Sequence, residues 1–326
     1  MSVATLTSET VKAKARELGA DLVGIAAGAA LDRHPPDAER PQTPSAITPE
    51  DSRSVIVLAR RLLHGLGRLK GHDDRHKQYS TELIISELEE IELKLVYFLE
   101  DHGSAALTIP PVHADPRLYD VEGDTRAPLS LPHAAVEAGL GTLGLNLMLL
   151  TPEYGPRVLL GAVLTSAELE PDEPLAEPLC LGESCGRCLL ACPGDAIRQW
   201  QLVKSRCSPY ASPYGYGHLI GHLERLVLAP AEERETLLKS RDTFMAWQSI
   251  LRGVGVYSGC TRCVDVCPVG ADYEQHLSDI QAEIPERTPD KETTLAGIQA
   301  LAAAGDRGPY FTRSARWIEG PAAAAK

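Results

Sequence analysis

Apolar residues in this chain cluster in a few short periodic stretches, set apart by long polar segments marked with prolines. Residues 8 to 18 predict a first helix, with Ser8 placed to cap it and Gly19 to stop it. The next segment, "DLVGIA", is a short apolar strand. Residues 31 to 52 carry several prolines and predict a surface loop, whereas "SVIVLA" is apolar throughout, as a strand covered on both faces would be. From residue 78 to 101, Leu83, Ile84, Leu88, Ile91, Leu95 and Phe98 recur with a helical period, and Gly103 lies just past the end. A loop with Pro110, Pro111 and Pro116 leads to "LPHAAVEA", helical with Pro132 in its first turn. After a glycine bend, two apolar runs flank "TPEYGP" and predict a hairpin. This half of the chain therefore predicts an α/β fold.

The bend itself, "GLGTLG", spells G-x-G-x-x-G at residues 139 to 144. A dinucleotide turn needs a strand before it and a helix after it. Here a helical stretch precedes and a hairpin follows. The simpler reading is three glycines making a sharp bend.

Length allows two domains, and 44% hydrophobic with 24% charged residues is ordinary globular chemistry. A net charge of −13, with no basic block to offset it, argues against a nucleic-acid partner and for a small-molecule substrate. The first residues lack an apolar signal core, and no run of eighteen apolar residues occurs, so the expectation is a cytoplasmic protein without membrane contact.

The eight cysteines change this picture. Cys185, Cys188 and Cys192 precede Pro193, and Cys260, Cys263 and Cys267 precede Pro268, so both runs read C-x2-C-x3-C-P. This is the distal part of the run with which bacterial ferredoxins hold paired clusters, the last cysteine of each run crossing to the other cluster. Two 4Fe-4S clusters need eight thiolates, and the two remaining cysteines, Cys180 and Cys207, each precede one run. Cys180 requires "LGES" to bulge, which Gly182 permits. Cys207 is separated from Cys260 by an insertion with room for two helices. Crossover assigns Cys180, Cys185, Cys188 and Cys267 to one cluster, and Cys192, Cys207, Cys260 and Cys263 to the other. A pair of zinc ribbons would share the C-x2-C spacing but not the two C-P endings.

With this module, the segments "ARELGADLVGIAA", "DSRSVIVLARRL", "RHKQYS", "AGLGTLGLNLMLLTPEYGPRVLLGAVLTS" and "SRCSPY" occur in an order that resembles the epoxyqueuosine reductases and, more distantly, the cobalamin-dependent reductive dehalogenases. The resemblance covers roughly residues 8 to 280. It implies a nitroreductase-like, cobalamin-binding-type α/β domain over residues 1–172, a small α+β bacterial-ferredoxin-like module with a helical insertion over 173–285, and a C-terminal tail, 286–326, forming a peripheral helix and a frayed end. It further implies a cobalamin cofactor with Gly139, Gly141, Gly144 and Asn146 against the corrin, and an external electron donor such as ferredoxin or flavodoxin. The chemistry implied is reductive cleavage of, or elimination from, an epoxide- or halide-like substrate. Members of the family often carry a C-terminal helical repeat region for tRNA. The chain is too short for one, which, with its acidic charge, weakens the expectation of a tRNA substrate.

The proton donor departs from the family pattern. The position where epoxyqueuosine reductases place an Asp is Thr125 here, with Asp124 beside it. His133 is a second candidate, because an ordinary imidazole titrates near neutral pH, and Tyr154, at the hairpin turn, is a third. His76, Lys77 and Tyr79 open the long helix and are expected to line a substrate pocket. Two alternatives use the same residues: an electron-transfer protein that docks a redox partner, and a corrin-free reductase holding flavin or substrate alone.

Overall fold

The computed structural model describes residues 6–69, 75–112, 126–252, 259–273 and 281–322. Its N-terminal half is a four-stranded sheet between two helical layers. The elements run α1 (Ser8–Glu17), β1 (Leu22–Ala27), α2 (Gly28–Arg33), α3 (Pro44–Ile47), β2 (Ser54–Arg61), α4 (Arg75–Asp101), β3 (Ala106–Ile109), α5 (Leu131–Glu137), β4 (Thr142–Leu143), β5 (Leu149–Leu150) and β6 (Val158–Thr165). The sheet order is β1-β2-β6-β3, and every neighbouring pair is antiparallel.

Successive residues of β2 feed opposite layers, as strand geometry requires. Val55, Val57 and Ala59 face a core shared with α5, whereas Ile56 and Leu58 face one shared with α1 and α4. Both faces are covered, as the unbroken apolar run predicted, although the sheet is antiparallel. Helix α4 buries Ile84, Leu88, Ile91, Leu95 and Leu99; Leu83 is 65% exposed and does not belong to that stripe. Thr7, rather than Ser8, caps α1, in a reciprocal pair with Thr10.

The predicted hairpin differs. The chain does reverse at Thr151–Gly155, but β5 pairs with β4, while β6 joins the main sheet between β2 and β3. The turn that closes β4 on β5 is set by the Gly144 N–H donating to the Met148 carbonyl and the Leu147 N–H donating to Gly144.

The C-terminal half contains α6 (Arg187–Leu190), the ribbon β7 (Ile197–Arg198) and β8 (Gln201–Leu202), α7 (Lys204–Ala211), α8 (Tyr216–Leu228), α9 (Ala231–Leu238), α10 (Arg241–Arg252), α11 (Arg262–Asp265), α12 (Pro289–Ala303) and α13 (Gly308–Ile318). Among the described residues, the insertion between Cys207 and Cys260 thus holds three helices after α7, where room for two was expected. It closes on itself where the Gly259 N–H donates to the Ala211 carbonyl at 2.7 Å.

The tail is not peripheral. Helix α12 buries Leu295 and Ile298 against Leu189 and Leu190. Helix α13 returns to the α5 face of the sheet core and buries Trp317 and Ile318 there. Glu137 of α5 accepts from Arg316 at 2.8 Å and from the Trp317 indole at 2.9 Å, so the charge on a 4%-exposed carboxylate is fully engaged. Among the described residues, no helix is long and apolar enough to cross a membrane.

Candidate functional site

The eight cysteines are free thiols and fall into two groups in space. Leu145, Asn146 and Leu150 from the β4–β5 segment line a small apolar cavity together with Cys180, Cys185, Cys188 and Cys267. Backbone shapes this site directly. Gly182, in the left-handed region at φ 64°, opens the 3-10 turn Gly182–Ser184 that takes up the extra residues between Cys180 and Cys185. The Cys180 sulfur accepts from the Gly182 N–H at 3.3 Å and from the Leu145 N–H at 3.4 Å.

The other four thiols interact with one another. Burial pushes Cys260 up to about 11, and the negative charges of Cys207 and Cys192 add to the effect. Cys263 is pushed well above the ordinary thiol range by burial and then by Cys260, Cys207 and Cys192. On the cavity side, burial lifts Cys267 to about 12, with Cys180 and Cys185 contributing. Cys188 is raised by burial and by Cys263, Cys267, Cys180 and Cys185, so Cys188 and Cys263 link the two groups. In each group one thiol comes from the far run. Among the described residues, no three His, Cys, Asp or Glu side chains converge tightly enough for a single metal ion; the thiols of the first group line a shared space.

Charged side chains fasten the two runs to each other and to the sheet domain, and sequence inspection missed them. Arg157, at the start of β6, is buried and grips both oxygens of Asp272 at 2.9 and 2.6 Å, while donating to the Cys267 and Val269 carbonyls at 2.9 and 2.7 Å. Arg187 donates to the Val266 carbonyl at 2.9 Å and the Tyr273 hydroxyl at 3.1 Å. Arg262 pairs with Glu286, and Lys291 of α12 donates to the Cys192 carbonyl at 2.7 Å. One signal was visible: both runs read C-x-R-C, Arg187 and Arg262 holding equivalent places.

The acid candidates are not brought together. Asp124 lies outside the described residues. His133 is buried on α5, its Nδ1 is 2.6 Å from the Ser130 hydroxyl, and its ring meets Trp317 edge-on at 4.6 Å. Burial, with the Arg313 charge second, lowers it to about 4, so the imidazole is neutral at neutral pH. That removes the reason for which it was chosen as a proton donor. Tyr154 sits elsewhere, in the turn before β6, and burial raises its phenol above the ordinary range.

Gly139, Gly141 and Gly144 serve close packing within the chain. A Cβ on Gly141 would stand 1.8 Å from the Leu150 carbonyl, and one on Gly139 would stand 2.7 Å from the Glu173 carbonyl. At Gly144 the obstacles are the Asn146 side chain and Leu150. Asn146 itself accepts from the Met148 N–H and donates to the Cys263 carbonyl, tying the cavity wall to the second run. Lys77 does not line a pocket: it is fully buried in an ion pair with Asp265. His76 is exposed and Tyr79 half-buried.

A groove of about 600 Å³, partly open to solvent, lies between α5, β8 and α13 and is lined by Arg126, Ser130, His133, Lys204, Tyr310 and Arg313. Leu147 reaches it from the segment that also walls the cysteine cavity, so groove and cavity lie on either side of residues 145–147.

No protein-family model matches the chain. The epoxyqueuosine reductase of Bacillus subtilis (strain 168) is 30% identical over 174 residues, which are 53% of this chain and 36% of that enzyme. The chain thus spans just over a third of the length of this curated relative. A reductive dehalogenase, whose structure suggests a mechanism for B12-dependent dehalogenation, superposes with a TM-score of 0.50 at 16% identity over 93% of this chain and 37% of its own, a likeness of fold. An epoxyqueuosine reductase crystallised with a tRNA-Tyr epoxyqueuosine-modified stem loop covers 88% of this chain and 69% of its own at 21% identity, with a TM-score of 0.46. That complex corrects the expectation of a small-molecule substrate and no nucleic acid, because the related enzyme holds a modified tRNA stem loop. Net charge misled here because it averages over the surface, whereas binding depends on local charge. The chain is a relative of the epoxyqueuosine reductases, as its cysteine runs indicated.

Proposed function

We propose that this relative of the epoxyqueuosine reductases is an iron-sulfur reductase that removes the oxygen of an epoxide-like group borne on a modified RNA. The observation that supports it most is the sorting of eight thiols into two groups of four, with one member of each run exchanged. The thiols fit paired 4Fe-4S clusters: they are free, half-buried or, at Cys192, buried, and in the first group arranged around an apolar space. Burial raises Cys180, Cys188, Cys207, Cys260, Cys263 and Cys267 above the ordinary thiol range, so cluster assembly has to expel their protons.

Cobalamin is proposed for the groove. Its polar rim, with Gln42, Gln199, Gln201 and Arg313, offers partners for a macrocycle with many amide arms, and residues 145–147 separate it from the first cysteine group. A bound corrin supplies a low-potential metal centre that reduces an electrophilic carbon. Removing an epoxide oxygen consumes two electrons and two protons and releases water. Arg126, Lys204 and Arg313 would hold the anionic backbone of the substrate, while the neutral His133, fixed by Ser130, orients what it touches. Protons would come from water or from Asp124, because Tyr154 lines neither the groove nor the cysteine cavity. In this reading residues 1–172 form a nitroreductase-like cofactor domain, 173–285 a ferredoxin-like module, and 286–326 a tail that locks the two. Eight free thiols suit a reducing compartment.

A corrin-free reductase remains the second reading, favoured by one observation: the three glycines pack against this chain's own atoms instead of leaving a cradle. The test is anaerobic reconstitution with iron, sulfide and cobalamin, then incubation with an epoxyqueuosine-containing anticodon stem loop and a chemical reductant. About eight irons and one cobalt per chain, with loss of one oxygen from the RNA by mass spectrometry, would support the proposal. Full iron without retained cobalt would favour the corrin-free reading. Iron well below that level, or unchanged RNA with both cofactors in place, would refute it.

A further inference from the structure

The ammonium of Lys77, in the first turn of α4, is completely buried. A buried ammonium is costly unless paired, and Lys77 finds its partner in α11: its Nζ lies 2.9 Å from Oδ2 of Asp265, itself 5% exposed. The same carboxylate oxygen accepts from the Thr261 hydroxyl at 2.8 Å. The pair therefore sits inside the second cysteine run, Asp265 lying between Cys263 and Cys267, with Thr261 between Cys260 and Cys263.

Stability alone does not explain the pair, since apolar side chains of similar volume do as well or better in such positions. Its placement offers another reason. Gln78, the neighbour of Lys77, packs against Gly259 next to Cys260, and Thr261 ties Asp265 to the stretch between Cys260 and Cys263, so both ends of the pair lie against the same thiol group. The potential of an iron-sulfur cluster follows the net charge around it, because reduction adds negative charge. Resting on the two-cluster reading above, we propose that the Lys77–Asp265 pair sets the reduction potential of the cluster held by Cys192, Cys207, Cys260 and Cys263 and leaves the other cluster's unchanged. In this role Lys77 is a tuning residue that touches neither substrate nor corrin.

The sign of the charge provides the test. Lys77→Met leaves the Asp265 carboxylate uncompensated and lowers the potential; Asp265→Asn leaves the ammonium uncompensated and raises it; Lys77→Arg restores the wild-type value. In anaerobic EPR redox titrations of the reconstituted full chain, one of two transitions should shift, in opposite directions in the Met and Asn variants. A tenfold change in the reduced-to-oxidised ratio corresponds to 59 mV for a one-electron couple. Equal shifts of both transitions, shifts of the same sign in the two variants, or no shift would overturn the inference. If the Met variant does not fold, Asp265→Asn decides alone, an upward shift supporting the inference and an unchanged potential refuting it. Wild-type protein without two transitions would instead show that the cluster reading, and the inference with it, is wrong.

Discussion

Replacing Arg157 by Met should destabilise the protein by about 3–5 kcal/mol, the usual result of removing one partner from a buried ion pair. The setting supports the upper part of that range. Arg157 and Asp272 are each 6% exposed, their contact is two-pronged, and the Cys267 and Val269 carbonyls lose a charged donor at the same time. Arg157→Lys should recover little, because an ammonium cannot reproduce the planar fork. Adding Asp272→Leu to Arg157→Met should return a substantial part of the loss, since the uncompensated carboxylate goes with it. Anaerobic denaturant unfolding of the four proteins measures the coupling by a double-mutant cycle, with iron content read in parallel. A loss below about 1 kcal/mol for Arg157→Met, or a double variant no better than the single one, would refute the assignment of this arginine as the clamp on Cys267.

Three other outcomes are expected. Glu92 is wholly buried against β6, and burial, then the Glu89 charge, raises it to about 9. Its folded pKa lies above the unfolded value, so stability should decline as pH rises from about 5 towards about 9, and Glu92→Gln should flatten that slope; equal slopes in denaturation at both ends of the range would contradict it. His133 has the opposite sign: lowered to about 4, it should contribute stability above about pH 6.5 that is lost as pH falls through about 4, and an NMR titration of its ring with an ordinary midpoint would disprove the burial argument. Trp317→Ala should cost about 3–5 kcal/mol, because the ring is 3% exposed and its indole donates to Glu137; a near-neutral effect on the unfolding midpoint would mean that α13 is an appendage after all.

What the sequence revealed, and what it hid, follows from the range of each interaction. Helix α4 and strand β2 were legible because apolar periodicity is local, and the cysteine runs were legible because their spacings are short and repeat. The pairing of β5 with β4 was hidden because two-residue strands carry no period. Lys77 reads as a pocket residue from sequence because its partner lies 188 residues away. The tail looked peripheral because its alanines outweighed Trp317 and Ile318, the two residues that bury it. His133 carried an ordinary imidazole pKa until Trp317 and the helix around it removed the water. Site readings failed where burial was decided by distant segments, and the acidic net charge failed as a guide to partners for a related reason, since it carries no information on where Arg126, Lys204 and Arg313 gather.

The same long-range contacts explain why the cysteine half depends on the rest of the chain. Cys267 is held by Arg157 from the sheet, Cys180 receives the Leu145 N–H from the β4–β5 turn, and Cys192 is backed by Lys291 from α12. Cys260 is returned to Cys207 by the closure of the insertion, Gly259 to Ala211, while α4 brings Lys77 to the run that follows. A set of four thiols drawn from two distant runs has no local cause, because loop closure over such separations opposes it. The sheet domain and the C-terminal helices offset that opposition by fixing both runs independently, so the spacing of the thiols is set by the surrounding fold as well as by any cluster they hold. That order of cause places Arg157, Lys77 and Glu183, which lies between Cys180 and Cys185 and accepts from Arg307 and Trp200, among the residues that hold the thiols in position.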